Sequence, residues 1–132
     1  MDLIALARQM GHAIQEEKAY KEEVDNAVGI YPKWAETTVF YEIFVRSFAD
    51  SNGDGIGDFK GIEENLDYLE ELGIGAIWLM PMMESTTYHG YDVVDYYAPN
   101  PDYGTMDDFD SLVKACHERD IKVIIDFLIN SF

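Results

Sequence analysis

The strongest constraint on this chain is a short segment without a polar side chain among its hydrophobic ones: Ala76, Ile77, Trp78, Leu79 and Met80, closed by Pro81. A strand with one wet face alternates apolar and polar residues. A short continuous apolar run reads instead as a strand buried on both faces. Two further segments complete the pattern. Residues 39–45, Val39-Phe40-Tyr41-Glu42-Ile43-Phe44-Val45, are β-branched and aromatic and read as a first strand. Residues 121–129, running through Val123, Ile124 and Ile125 to Ile129, read as a third. Between the first two lies a helix with Ile62, Leu66, Leu69 and Leu72 on one face. Gly73 comes next, where a helix end favours a left-handed residue. A long loop over 82–104 then leads to Thr105, a predicted N-cap with Asp107 and Asp108 in the first turn. Phe109, Leu112, Val113 and Cys116 form the stripe of that second helix. The order β-α-β-α-β predicts an α/β fold with parallel strands and right-handed crossovers.

The N-terminal stretch differs in character. Leu3, Leu6, Met10, Ala13 and Ile14 recur at helical spacing, so residues 2–28 read as one amphipathic helix. Gly29, Tyr31 and Pro32 break it. The expected division is therefore 1–31, helix and linker, and 32–132, the α/β region. The 132 residues suffice for a domain with a core, and 48% hydrophobic content argues against disorder. No apolar run approaches the roughly 20 residues of a membrane span, so no membrane partner is expected. Asp2 stands where a secretion signal would be basic, and Arg8 interrupts the apolar start. With the single Cys116 excluding an internal disulfide, the expected compartment is the cytoplasm. A formal net charge of -17 repels nucleic acid and suits a neutral ligand or a bound divalent cation.

Parallel α/β folds carry their chemistry on loops after the carboxyl ends of strands. Three such loops begin near Ser47, Pro81 and Asn130. In the first, Asp50, Asn52, Asp54 and Asp58 alternate with small residues, and the carbonyl of Ile56 adds an oxygen. Such a set suits a hard cation such as Ca²⁺. The other reading is a Gly/Asp-rich turn whose side chains cap backbone groups. An EF-hand does not fit, because its closing glutamate would fall at Gly61, and the interleaved acids oppose phosphate binding. The second loop holds Tyr88, His89, Gly90, Tyr91 and Asp92. Aromatic faces beside polar groups suit sugars, and the same residues also suit ordinary packing. His89 has no second His or Cys at metal-ligand spacing. The third site is Asp126 with Asn130 and Ser131. An acid inside an apolar strand needs a partner, with Arg46 one candidate, or a polar site at the strand end.

Taken in order, these segments have a family likeness. Residues 40–48 flow into 50–59, and then come Leu72-Gly73-Ile74 with 77–81. Gly90-Tyr91-Asp92-Val93-Val94-Asp95-Tyr96, Tyr103-Gly104-Thr105 and 121–126 complete the series. From about Pro32 to Asn130 the chain resembles the α-amylase family of glycoside hydrolases (glycoside hydrolase family 13), near the α-amylase and oligo-1,6-glucosidase groups. The resemblance implies an incomplete (β/α)8 TIM barrel, about its first three strands and two helices, preceded by the N-terminal helix. It implies action on α-linked glucans or maltooligosaccharides with retention of configuration. By that likeness Asp50, Asn52, Asp54, Ile56 and Asp58 match the calcium loop. Tyr91 matches the aromatic residue stacked under the sugar at the cleaved position, and His89 beside it is a sugar contact. Asp126 and Asn130 match the first conserved region, where Asp126 has a supporting electrostatic role at the substrate.

Two departures stand out. Ser131 replaces a histidine that hydrogen-bonds the sugar, and Asp120 replaces the glycine that usually precedes the third strand. Retaining glycosidases need a nucleophile and an acid/base flanking the bond. The resemblance places these on strands four and five, with another acid on strand seven, so no catalytic residue is assigned among these 132. The expectation is the N-terminal part of a hydrolase, inactive alone. The alternative is a non-catalytic, calcium-stabilised module that binds sugar or protein, or a decayed gene product. Open strand edges and uncovered apolar surface predict self-association or pairing with a complementary barrel fragment.

Overall fold

A computed structural model describes residues 33–129. The expected helix over 2–28, the whole 1–31 segment, Asn130 and Ser131 lie outside the described residues. The described residues fall into two units that divide after Thr38. The first contributes one short helix, α1 (Lys33–Thr37). The second holds β1 (Phe40–Ile43), α2 (Val45–Phe48), α3 (Phe59–Glu64), α4 (Leu66–Glu71) and β2 (Ala76–Leu79). It continues with β3 (Met83–Ser85), β4 (Val93–Pro99), α5 (Met106–Glu118) and β5 (Lys122–Ile125).

The three expected strands form one parallel sheet in the order β1-β2-β5. Tyr41 pairs with Ile77 and Ile77 with Val123; Ile43 pairs with Leu79 and Leu79 with Ile125. These two rows share a face and pack into the core with Phe59, Ile62, Leu66, Leu69, Leu112 and Cys116. The intervening row, Glu42, Trp78 and Ile124, lies on the other face. Trp78 there is 41% exposed. The reading of β2 as buried on both faces is thus corrected: the described helices cover one face only.

Other boundaries shift for local reasons. The first strand stops at Ile43, because Val45 enters the single turn of α2, where Ser47 N–H donates to the Phe44 carbonyl at 3.0 Å. The helix expected as one piece is two. Asn65 sits between α3 and α4 with φ -108°, and its side-chain amide donates to the Gly61 carbonyl at 2.8 Å. That side chain competes with the helical ladder and interrupts it. Ile62, Leu66 and Leu69 are fully buried as expected, while Leu72 is exposed past the end of α4. The third strand is also shorter, and ends before Asp126.

The segment expected as loop, 82–104, contains an antiparallel hairpin of β3 and β4. Val93-Val94-Asp95-Tyr96-Tyr97 carries a strand composition that the longer run of turn residues obscured. Helix α5 begins as read: Thr105 and Asp108 form a capping box. It packs on α3 through Phe59 and Phe109, whose ring centroids are 5.5 Å apart.

Candidate functional site

The carboxyl ends of β1, β2 and β5 lie side by side because the three strands are parallel and in register. The segments leaving these three ends therefore meet at one rim. Asp126, the first residue after β5, is held there by its N–H donating to the Leu79 carbonyl at 2.8 Å. It is half-buried at the strand end rather than inside the strand. Tyr91, from the turn between β3 and β4, donates its hydroxyl to Asp126 Oδ2 at 3.1 Å. Two residues 35 positions apart in the chain thus form one polar pair. Burial first, then the Asp126 hydrogen bond and the charges of Asp126 and Glu42, push the Tyr91 hydroxyl pKa up. Tyr91 stays protonated and a donor at neutral pH.

His89 orients Tyr91. Its Nδ1 accepts from the Tyr91 N–H at 3.1 Å and lies 3.2 Å from Thr87 Oγ1. The His89 ring sits 5.8 Å from that of Tyr91 and 5.4 Å from that of Tyr88. Gly90 permits this arrangement, a role its sequence position did not reveal. It has φ +81°, and a Cβ there would stand 2.6 Å from the Pro81 carbonyl oxygen. The loop therefore lies directly on the end of β2. The structure brings Tyr91, His89 and Asp126 together in one cluster.

Arg46 is not the partner of Asp126. Its Nη1 pairs with Asp102 Oδ2 at 3.2 Å, and the β1 end that it follows is separated from the β5 end by β2. The sequence reading passed over Asp102, which comes after β4 in a segment taken for plain loop.

In the loop after α2, every expected side-chain oxygen accepts backbone N–H groups. Asp50 accepts from Asn52, Gly53 and Gly55, the last at 2.7 Å. Asn52 Oδ1 accepts from Asp54 N–H, and Asp54 Oδ1 from Ile56 N–H at 2.8 Å. The Gly55 N–H above all holds the Asp50 carboxyl below its ordinary range. Asp58 caps α3 through Gly61 N–H at 2.6 Å and accepts from both N–H and hydroxyl of Ser51. A glutamate at position 61 would not fit, since a Cβ there falls 2.1 Å from the Ala49 carbonyl oxygen.

These bonds turn hard oxygen donors, Asp50, Asn52, Asp54 and Asp58, into one loop, and each carboxylate keeps lone pairs. The donor chemistry fits a hard cation. Among the described residues, however, no three carboxylate, imidazole or thiol groups are arranged to hold a metal ion.

Comparison with known proteins agrees with the parallel sheet. Residues 42–132 match the family model for the alpha amylase catalytic domain. The chain is 52% identical over 102 residues to alpha-amylase 3 of Dictyoglomus thermophilum, covering 77% of this chain and 20% of that protein. It is 50% identical over 99 residues to oligo-1,6-glucosidase of Bacillus cereus, covering 74% and 18% respectively. The crystal structure of an alpha-amylase from H. orenii superposes with a TM-score of 0.69 at 60% identity, over 70% of this chain and 21% of that one. The chain thus spans about a fifth of the length of the relatives it matches.

Proposed function

Because this chain belongs to the α-amylase family of glycoside hydrolases, we propose that it is the N-terminal part of a retaining α-glucan hydrolase whose barrel it begins but does not close. The observation that carries this reading is the Tyr91–Asp126 hydrogen bond at the carboxyl rim of the parallel sheet. A tyrosine face beside a carboxylate matches the two sides of a glucose ring. The ring's C–H face packs on the aromatic, and its hydroxyls donate to the acid. His89 sets the tyrosine's orientation through Nδ1, and its Nε2, 3.9 Å from Asp92 Oδ2, is the edge proposed to meet the sugar. Cleavage with retention needs two carboxylates about 5–5.5 Å apart across the bond. Asp126 is bonded to Tyr91 and serves as a binding and electrostatic group rather than as the nucleophile.

The test uses the 132-residue polypeptide. It binds maltotriose weakly, Tyr91→Ala and Asp126→Asn each weaken that binding roughly tenfold, and a chromogenic maltooligosaccharide is not turned over. Turnover abolished by Asp126→Asn would overturn the assignment of roles. Sugar binding indifferent to both variants would overturn the site.

We also propose that Asp50, Asn52, Asp54, Asp58 and the Ile56 carbonyl hold calcium, which would tie the loop after α2 to the start of α3. The support is the donor set, hard oxygens gathered in one short loop whose carboxylates keep lone pairs beyond their backbone hydrogen bonds. Millimolar Ca²⁺ is expected to raise the melting temperature of the wild type and not of Asp54→Ala. A folded sample whose melting ignores calcium would refute the assignment.

A further inference from the structure

A cleft of about 310 Å³ opens between α2, the residues after β3 and the end of β4. Its lining includes Arg46, Thr86, Tyr88, Asn100 and Asp102. We propose that it is a second sugar-binding site, separate from the Tyr91–Asp126 rim; the choice of sugar rests on the glucan reading above.

Asn100 is the central group of the cleft. It is only 7% exposed, and its backbone N–H donates to the Met82 carbonyl at 2.8 Å. Its Oδ1 accepts from the Asp102 N–H at 2.9 Å. Its carboxamide N–H groups donate to no acceptor among the described residues, and Asn100 lines the cleft. The carboxamide nitrogen is not sealed from solvent, so its N–H groups open onto the cleft and can donate to a ligand hydroxyl in place of water. Beside it, the Arg46–Asp102 pair is part-exposed, and the guanidinium keeps further N–H groups beyond its bond to Asp102. Ser85 and Thr87 add hydroxyls 3.3 Å apart. Tyr88, 69% exposed, gives an aromatic wall braced edge-on by the His89 ring at 5.4 Å.

This combination selects a ligand class. Donors and acceptors are mixed, and the Arg46 charge is already balanced by Asp102. Glu84, also in the lining, repels phosphate or carboxylate groups. The polar walls do not suit a lipid tail. A neutral, polyhydroxylated ring with one apolar face satisfies the spare amide, the hydroxyls and the tyrosine together. Thr87 Oγ1 lies 3.2 Å from His89 Nδ1, so the 85–91 segment serves both sites, one on either side.

The test is a titration of the ¹⁵N-labelled 132-residue chain with maltotriose, read as amide shifts residue by residue. Saturable shifts are expected at Thr86, Tyr88 and Asn100, and they should persist in Tyr91→Ala. Tyr88→Ala, at an exposed position, should weaken them roughly tenfold and leave the Tyr91 and Asp126 shifts in place. Shifts confined to Tyr91 and Asp126 would overturn the second site while the first stands. Shifts confined to Thr86, Tyr88 and Asn100 would support the second and remove the first. An unresponsive spectrum would overturn both.

Discussion

Asp120 shows how much a single backbone angle decides. It has φ 55°, the only non-glycine residue with positive φ among those described. An L-residue with a Cβ is strained there, and glycine is not. The residue is retained where its N–H closes α5 onto the His117 carbonyl at 3.0 Å, and its carboxylate meets Lys122 Nζ at 2.8 Å. That pair is exposed and offsets little of the strain. Asp120→Gly is therefore expected to raise the melting temperature by roughly 4 °C, read by circular dichroism. Cys116 is the opposite case, a residue whose environment silences its chemistry. It is fully buried, and burial above all pushes its thiol up to about 11 from 9.0. The fold thus favours the neutral thiol. Its contribution is complete below about pH 9 and is lost as pH rises through about 11. Urea melts between pH 8 and 11 should show this decline in the wild type and a shallower one in Cys116→Ala. At pH 8 the native thiol should resist a disulfide reagent that labels the unfolded chain at once.

Elements are fixed by their ends. Helix α5 starts at a reciprocal bond: Thr105 Oγ1 accepts from Asp108 N–H at 3.2 Å, and Asp108 Oδ2 accepts from Thr105 N–H at 2.8 Å. Thr105→Ala removes one side of this box and is expected to cost about 1 kcal/mol in chemical denaturation. Helix α3 starts at Asp58, and its first turn lies against the chain leaving α2. The contact is so close that a methyl on Gly61 would collide with the Ala49 carbonyl. Gly61→Ala should therefore destabilise the chain more than Thr105→Ala, although alanine is the better helix former. The same denaturation series compares the two. An outcome with Gly61→Ala neutral would mean that α2 and α3 are not packed as described.

At the scale of the whole molecule, the described elements leave the sheet with one buried face and one open one. Trp78 at 41% exposure and Phe40 at 38% stand on strands whose opposite face packs into the core. β1 and β5 are both edges of the three-stranded sheet. Parallel sheets are stable when both faces are covered and their edges are paired. The isolated 132-residue chain is expected to self-associate, with a sedimentation coefficient that rises with concentration. Trp78→Lys, which places a charge in the middle of the open face, should shift it toward monomer. A wild type that stays monomeric at all concentrations would show that this face is covered within the chain.

The three strands, the helix cap at Thr105, the left-handed sites at Gly73 and Asp120, and the family itself were legible in the sequence. Each is written in residues close together in the chain, where side-chain period, caps and turn residues act locally. The pairing of Tyr91 with Asp126, the diversion of Arg46 to Asp102, the role of Gly90 against Pro81 and the open face of β2 were not. They depend on how the chain folds back on itself: Tyr91 meets Asp126 across 35 positions and Arg46 meets Asp102 across 56, while Gly90 meets Pro81 only through the path of the loop. Sequence chemistry set which groups could bind a sugar or a cation. Only the parallel register of the sheet decided which of them stand close enough to act together.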